Sequence, residues 1–125
     1  MKTMVAIMLA IAAMSCSKSN STGNDDQPPA VIITTPAAHQ QFNAGQTVAI
    51  TGTVTDNKKL AELHVHISNL VTGALLVDIH RYPTTSSYAL NETFQVQAGI
   101  FYRIQVIAKD NSANEGRASV EISTN

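Results

Sequence analysis

Tryptophan is absent from this chain, cysteine occurs once, and charged residues make up only 14% against 44% hydrophobic ones. Each shortage closes something off. A single cysteine cannot form an intramolecular disulfide, so packing and hydrogen bonds have to hold the fold. A formal net charge of -1 leaves no basic footprint, which argues against nucleic acid or an anionic lipid surface as a partner. Catalytic signatures are missing as well: there is no Gly-x-Ser-x-Gly elbow, no His-Glu-x-x-His pair and no phosphate-cradling glycine loop. No spacing of serine, histidine and aspartate singles out a nucleophile, so no enzymatic activity is expected. At 125 residues there is room for one domain.

What is present begins with an address. Lys2 precedes the uncharged apolar run Met4 to Met14. A membrane-spanning helix needs about 20 residues, so this run suits the hydrophobic region of a secretory signal instead. Small residues follow, ending in Ala13-Met14-Ser15-Cys16. These four resemble the lipobox of bacterial lipoproteins, with Ala13 where leucine is usual. The resemblance implies that residues 1–15 are a lipoprotein signal peptide and that the Cys16 thiol carries the lipid, making a membrane the partner at this end. Lipidation also consumes a thiol that an exported protein could not otherwise pair. The expected location is the cell envelope, by lipid anchor, at the outer membrane. Residues 16–29 read as a flexible linker, because Ser17 to Pro29 offers nothing apolar to bury. A coil of that length reaches roughly 20 Å.

From Ala30 onward the apolar residues recur with a period of two, the pattern of strands with one buried face. Val31-Ile32-Ile33 is a short first strand. A second turns Val48, Ile50, Gly52 and Val54 one way and threonines the other. The third sets Leu63, Val65 and Ile67 inward, with His64 and His66 outward. The fourth does the same with Leu75, Val77 and Ile79 against Asp78 and His80. Leu90, Phe94 and Val96 mark a fifth, where Glu92 interrupts the apolar face. Tyr102, Ile104, Val106 and Ala108 define the sixth, with Arg103, Gln105 and an apolar Ile107 on its other side. Ala118, Val120 and Ile122 form the last.

Seven strands and no credible helix predict an all-β chain, with residues 30–125 forming a seven-stranded antiparallel sandwich. Gly52 to Asp56 closing the second strand, and Tyr102 to Asp110 with its opening tyrosine, resemble the immunoglobulin-like and fibronectin type III-like domains of bacterial lipoproteins. That family places a tyrosine corner where Tyr102 stands; its usual tryptophan is missing here. Val71-Thr72-Gly73 reads as a three-residue hairpin loop, with Gly73 free to take the left-handed position. The loop pairs Val65 with Ile79 and Ile67 with Val77, and a slip of one residue would set inward residues opposite outward ones. A hairpin within one sheet selects the fibronectin-like arrangement of three strands against four.

The same register sets His64 across from His80 and His66 across from Asp78, where Cβ atoms lie about 5 Å apart. His64, His66, Asp78 and His80 are thus candidate ligands for zinc or another divalent ion. At one end of the sandwich, Asp56, Asn57, Asp110 and Asn114 could gather oxygens for calcium. No cofactor is expected beyond such an ion. Tyr82, Arg103, Gln105 and Ile107 share the histidine side of the sheet and form a candidate recognition face, because Tyr and Arg are favoured at interfaces. The functional expectation is a non-enzymatic binding or adhesion module of the cell envelope with a protein or glycan ligand. The alternatives are a structural or accessory subunit of a surface assembly, as in glycan uptake, and a divalent-metal-binding lipoprotein.

Overall fold

The computed structural model describes residues 24–125. The expected signal segment, Cys16 and the first part of the linker lie outside them. The described chain forms β1 (Ala30–Thr35), β2 (Gln41–Phe42), β3 (Thr47–Thr55), β4 (Leu60–Asn69), β5 (Leu75–Arg81), β6 (Ser87–Gln95), β7 (Phe101–Asp110) and β8 (Glu115–Thr124). One sheet runs β1-β3-β6, and the other runs β2-β8-β7-β4-β5. All seven expected strands are present, in the expected sheets. The difference is β2, which makes the sandwich three strands on five. It pairs parallel to β8, and His39 N donating to Glu121 O at 2.7 Å and Asn125 N to Phe42 O at 3.0 Å bracket the pairing. Two residues are too few for a period to show, and only the bare edge of β8 makes a strand of them.

The core follows the alternation. Val48, Ile50 and Val54 from one sheet face Leu63, Val65, Ile67, Ile104 and Val106 from the other, all fully buried. The Tyr102 ring packs edge-on to Phe94 at 5.3 Å between centroids. Its hydroxyl accepts a hydrogen bond from Gln97 N at 2.8 Å, which is the expected tyrosine corner. Glu92 does point into the core side, at 9% exposure. Arg81 reaches it from the opposite sheet with two parallel bonds, Nε to Oε1 at 2.8 Å and Nη2 to Oε2 at 2.9 Å. A fork of this kind is the geometry in which a guanidinium best compensates a desolvated carboxylate.

The β4–β5 hairpin keeps the predicted register by a different route. Asn69 N bonds Ala74 O at 2.9 Å, so the loop holds four residues, Leu70 to Gly73. Taken alone, that closure shifts the register by one. The register does shift between Ile67 and Ser68, and the bulge, with Leu76 as the extra residue of β5, restores the pairs His64–His80 and Ile67–Val77. Gly73 has the anticipated positive φ of 76°. The displaced residue is Leu75, expected to point inward but 54% exposed.

The linker boundary also moves. Residues 25–29, expected to be flexible, lie against the sandwich. Asn57 Nδ2 donates to Asp25 Oδ1 at 3.0 Å, Asn114 Nδ2 to Asp25 O at 2.9 Å, and Pro29 is buried. Room for this docking comes from Gly116, where an added Cβ would overlap the Pro29 carbonyl oxygen.

Gly52 allows a similar approach, since a Cβ there would overlap the backbone carbonyl of Ile32 in the neighbouring β1. Gly52→Ala should therefore destabilise the domain by about 3 kcal/mol, because backbone atoms rather than a side chain must yield. Tyr102→Phe, which deletes one hydrogen bond and keeps the packing, should cost about 1 kcal/mol. Urea unfolding of both variants would show that order.

Candidate functional site

Two groups of side chains collect on the five-stranded sheet and its loops. The first lies on the outer face, where alternation places the even-numbered residues of β4 and β5 and the odd-numbered ones of β7 and β8. Register sets His80, His64, Ile107 and Arg117 in one row, and Asp78, His66, Gln105 and Ser119 in the next. The expected cluster therefore forms. The His64 and His80 rings stand 4.0 Å apart between centroids. Asp78 bridges the histidines, with Oδ2 2.9 Å from His80 Nε2 and Oδ1 3.3 Å from His66 Nε2. Glu62, on the same outward side of β4 but not among the expected ligands, lies 2.5 Å from His64 Nε2.

These contacts set the electrostatics. The hydrogen bond from His80 holds the Asp78 carboxyl below its ordinary range, with charge on His80, His66 and His64 adding to the effect. The bond from His64 does the same for Glu62. As possible metal ligands the residues fall into two triads that share His64: Glu62, His64 and His80, and His64, His66 and Asp78. The four expected ligands do not make one shell. Both acids already have imidazole partners, so the cluster satisfies itself as a set of His–carboxylate pairs.

The recognition residues are dispersed around this cluster. Tyr82, 69% exposed, stands just past β5, beside a surface cleft of about 350 Å³ that Lys59, Pro83 and Asn111 also line. Arg103 lies opposite Ser68 at the far end of β4, about 20 Å along the strand from Glu62, and its guanidinium is 3.1 Å from Glu121. Gln105 is half-buried between them. Ile107 does not belong to the exposed face: at 9% exposure it is buried. It is flanked by His64 and Arg117 in its row, and so serves as an apolar floor under the polar side chains.

The second group lies at the end where the chain enters the sandwich. Asp56 and Asp110 are brought together as expected, but the third acid is Asp25, from the segment read as linker. One oxygen of each lies within 4.8 Å of the other two. Asp110 is buried, and its Oδ1 accepts from Ser112 N at 2.7 Å and Asn114 N at 2.9 Å. Asn57 and Asn114, expected as ligands, instead donate from their amide nitrogens, Asn57 to Asp25 Oδ1 and Asn114 to both the Asp25 carbonyl and, at 2.7 Å, Asp110 Oδ2, so that they hold Asp25 in place. The signal for Asp25 was available, since the first strand has to start at the end that carries the Asp56 and Asp110 loops.

A family model described as bacterial Ig domain matches residues 29–122. No curated protein matches the chain. Among solved structures, a superoxide reductase (neelaredoxin) from Ignicoccus hospitalis superposes with a TM-score of 0.54 at 12% identity, covering 79% of this chain and 81% of that one. Fibronectin(III)-like modules of Clostridium thermocellum CbhA give 0.52 at 21% identity, over 78% of this chain and 47% of theirs. OgpA from Akkermansia muciniphila gives 0.54 at 12%, over 78% and 29%. At these identities the likeness concerns the fold alone.

The depressed carboxylates predict a pH dependence. A group whose pKa is lower in the folded state contributes stability above its unfolded value, about 4 for a carboxylate, and loses it as pH falls through the folded value. Asp78→Asn should therefore melt below the parent at pH 6. The gap should close as pH drops below about 4, which thermal melts across that range would record.

Proposed function

The chain belongs to the bacterial Ig domain family, and from that premise we propose that it is a non-enzymatic binding module of the cell envelope, tethered by a lipid on Cys16, that docks a partner protein on the outer face of its five-stranded sheet. The observation that carries the reading is the contrast between the two outer faces. The β1-β3-β6 face displays Thr47, Thr53, Asn91, Thr93 and Gln95, all exposed, a small polar set that water solvates well. The opposite face carries three histidines, the acids Glu62, Asp78, Glu115 and Glu121, and Arg103 and Arg117, with Tyr82 at its margin. Tyr and Arg are enriched where partners bind, and Ile107 gives the face an apolar floor. A face about 20 Å long suits a protein better than a single sugar ring. Bacterial Ig domains are often extracellular or surface-associated, which agrees with the lipobox-like end at Cys16.

A second reading is a subunit of a larger surface assembly, joined through sheet edges. It is favoured by the open edge of β5 and its adjoining loop, where Val71, Leu75 and Leu76 are exposed together.

Two measurements test the main reading. Radiolabelled palmitate should enter the parent and not Cys16→Ser, and label in both would remove the lipid anchor at that residue. A partner cross-linked and purified from envelope membranes should bind Tyr82→Ala/Arg103→Ala at least about 10-fold more weakly, the loss of roughly one interface hot spot. Unchanged affinity would show the face to be wrong. Binding to a glycan array without a protein partner would move the reading to sugars, and loss of binding in Leu76→Lys alone would favour edge assembly.

A further inference from the structure

Asp25, Asp56 and Asp110 are drawn together at the loop end of the sandwich. None of the three takes part in an ion pair among the described residues. Lys58 acts on Asp25 through charge without pairing with it. Asp110 is 3% exposed. Two oxygens, Asp25 Oδ2 and Asp56 Oδ1, are sealed from solvent and accept no hydrogen bond. The rest of the molecule treats buried acids differently: Glu92 has its Arg81 fork. Bare, sealed carboxylate oxygens in a cluster of three negative charges are costly unless something positive meets them.

The donor set says what that is. All candidate ligands are carboxylate oxygens, the preference of a hard cation. Two oxygens bound to one calcium ion at about 2.4 Å can stand no more than about 4.8 Å apart, and the three meet that limit. Magnesium requires a tighter octahedron and sheds water reluctantly, which suits a half-sealed site poorly. The geometry points to a calcium site formed by Asp25, Asp56 and Asp110, which when filled pins the entry segment to the loop end of the sandwich. Asn57 and Asn114 serve as positioning residues that hold Asp25. The ion joins the β3–β4 loop, the end of β7 and the entry segment, so that residues 25–29 become part of the rigid body. The site stands independently of what the sheet face binds.

Thermal melts of the full chain, stripped with EDTA and then titrated with calcium chloride, test this. The melting temperature should rise by about 5 °C at calcium concentrations of about 1 mM and above, with a smaller rise in magnesium. Asp25→Asn and Asp56→Asn should abolish the rise. In EDTA, Asp25→Asn should melt at or above the parent, because it relieves repulsion; a residue acting only as a hydrogen-bond acceptor would melt lower. Calcium should also slow hydrogen exchange at the Gln27 amide, which donates to Asp25 Oδ1. The proposal is overturned if the parent does not shift, or if the same shift persists in both variants. Unchanged exchange at Gln27 would overturn the pinning.

Discussion

No disulfide crosses this sandwich, so everything depends on the apolar seam between its sheets. Val48, Ile50 and Val54 meet Leu63, Val65, Ile67, Ile104 and Val106 there without exposed surface. A seam of this kind tolerates no slip. A shift of one residue in any strand turns its apolar set to water, and the backbone partners must then be found elsewhere. The bulge around Leu76 is best understood as a response to that constraint. The four-residue loop alone gives the wrong register, and one extra residue in β5 restores it. The seam dictates the register, and the loop adjusts.

Polar groups near the seam are tied to it in ways that also join the two sheets. Arg81 of β5 forks onto Glu92 of β6, and the Tyr102 hydroxyl of β7 holds Gln97 just beyond β6. Both links replace water that buried polar atoms have lost. Both span the gap between the sheets close to where the chain itself crosses it, Arg81 to Glu92 beside the β5–β6 loop and Tyr102 to Gln97 beside the β6–β7 turn.

Because the inner faces are committed to the seam, only the outer faces and loops stay open to other molecules, and these differ in character. The β1-β3-β6 face is bland. The opposite face collects imidazoles and carboxylates that pair with one another, so it offers patterned charge rather than a vacant shell. The loop end collects acids that do not pair. The chain enters the sandwich at that end, since Ala30 is set opposite Thr55, so the unpaired acids and the paired imidazole face lie on different parts of one small body.

What the sequence determined by itself was everything with a period of two. Strand identity, the inward residues of β3, β4 and β7, the role of Tyr102 and the pairs His64–His80 and His66–Asp78 all follow from alternation and one hairpin. What tertiary structure decided were the features without a period. Gln41–Phe42 is a strand only because β8 has a free edge. Glu92 is tolerated only because Arg81 arrives from the other sheet. Ile107 is buried by the side chains beside it, which alternation assigns to water. Asp25, in a stretch with nothing apolar to bury, meets Asp56 and Asp110 only after the sandwich has closed. Alternation reports which way a side chain points from its own strand. Its partner across a sheet or a loop is chosen by folding, which brings together residues as far apart as Asp25 and Asp110.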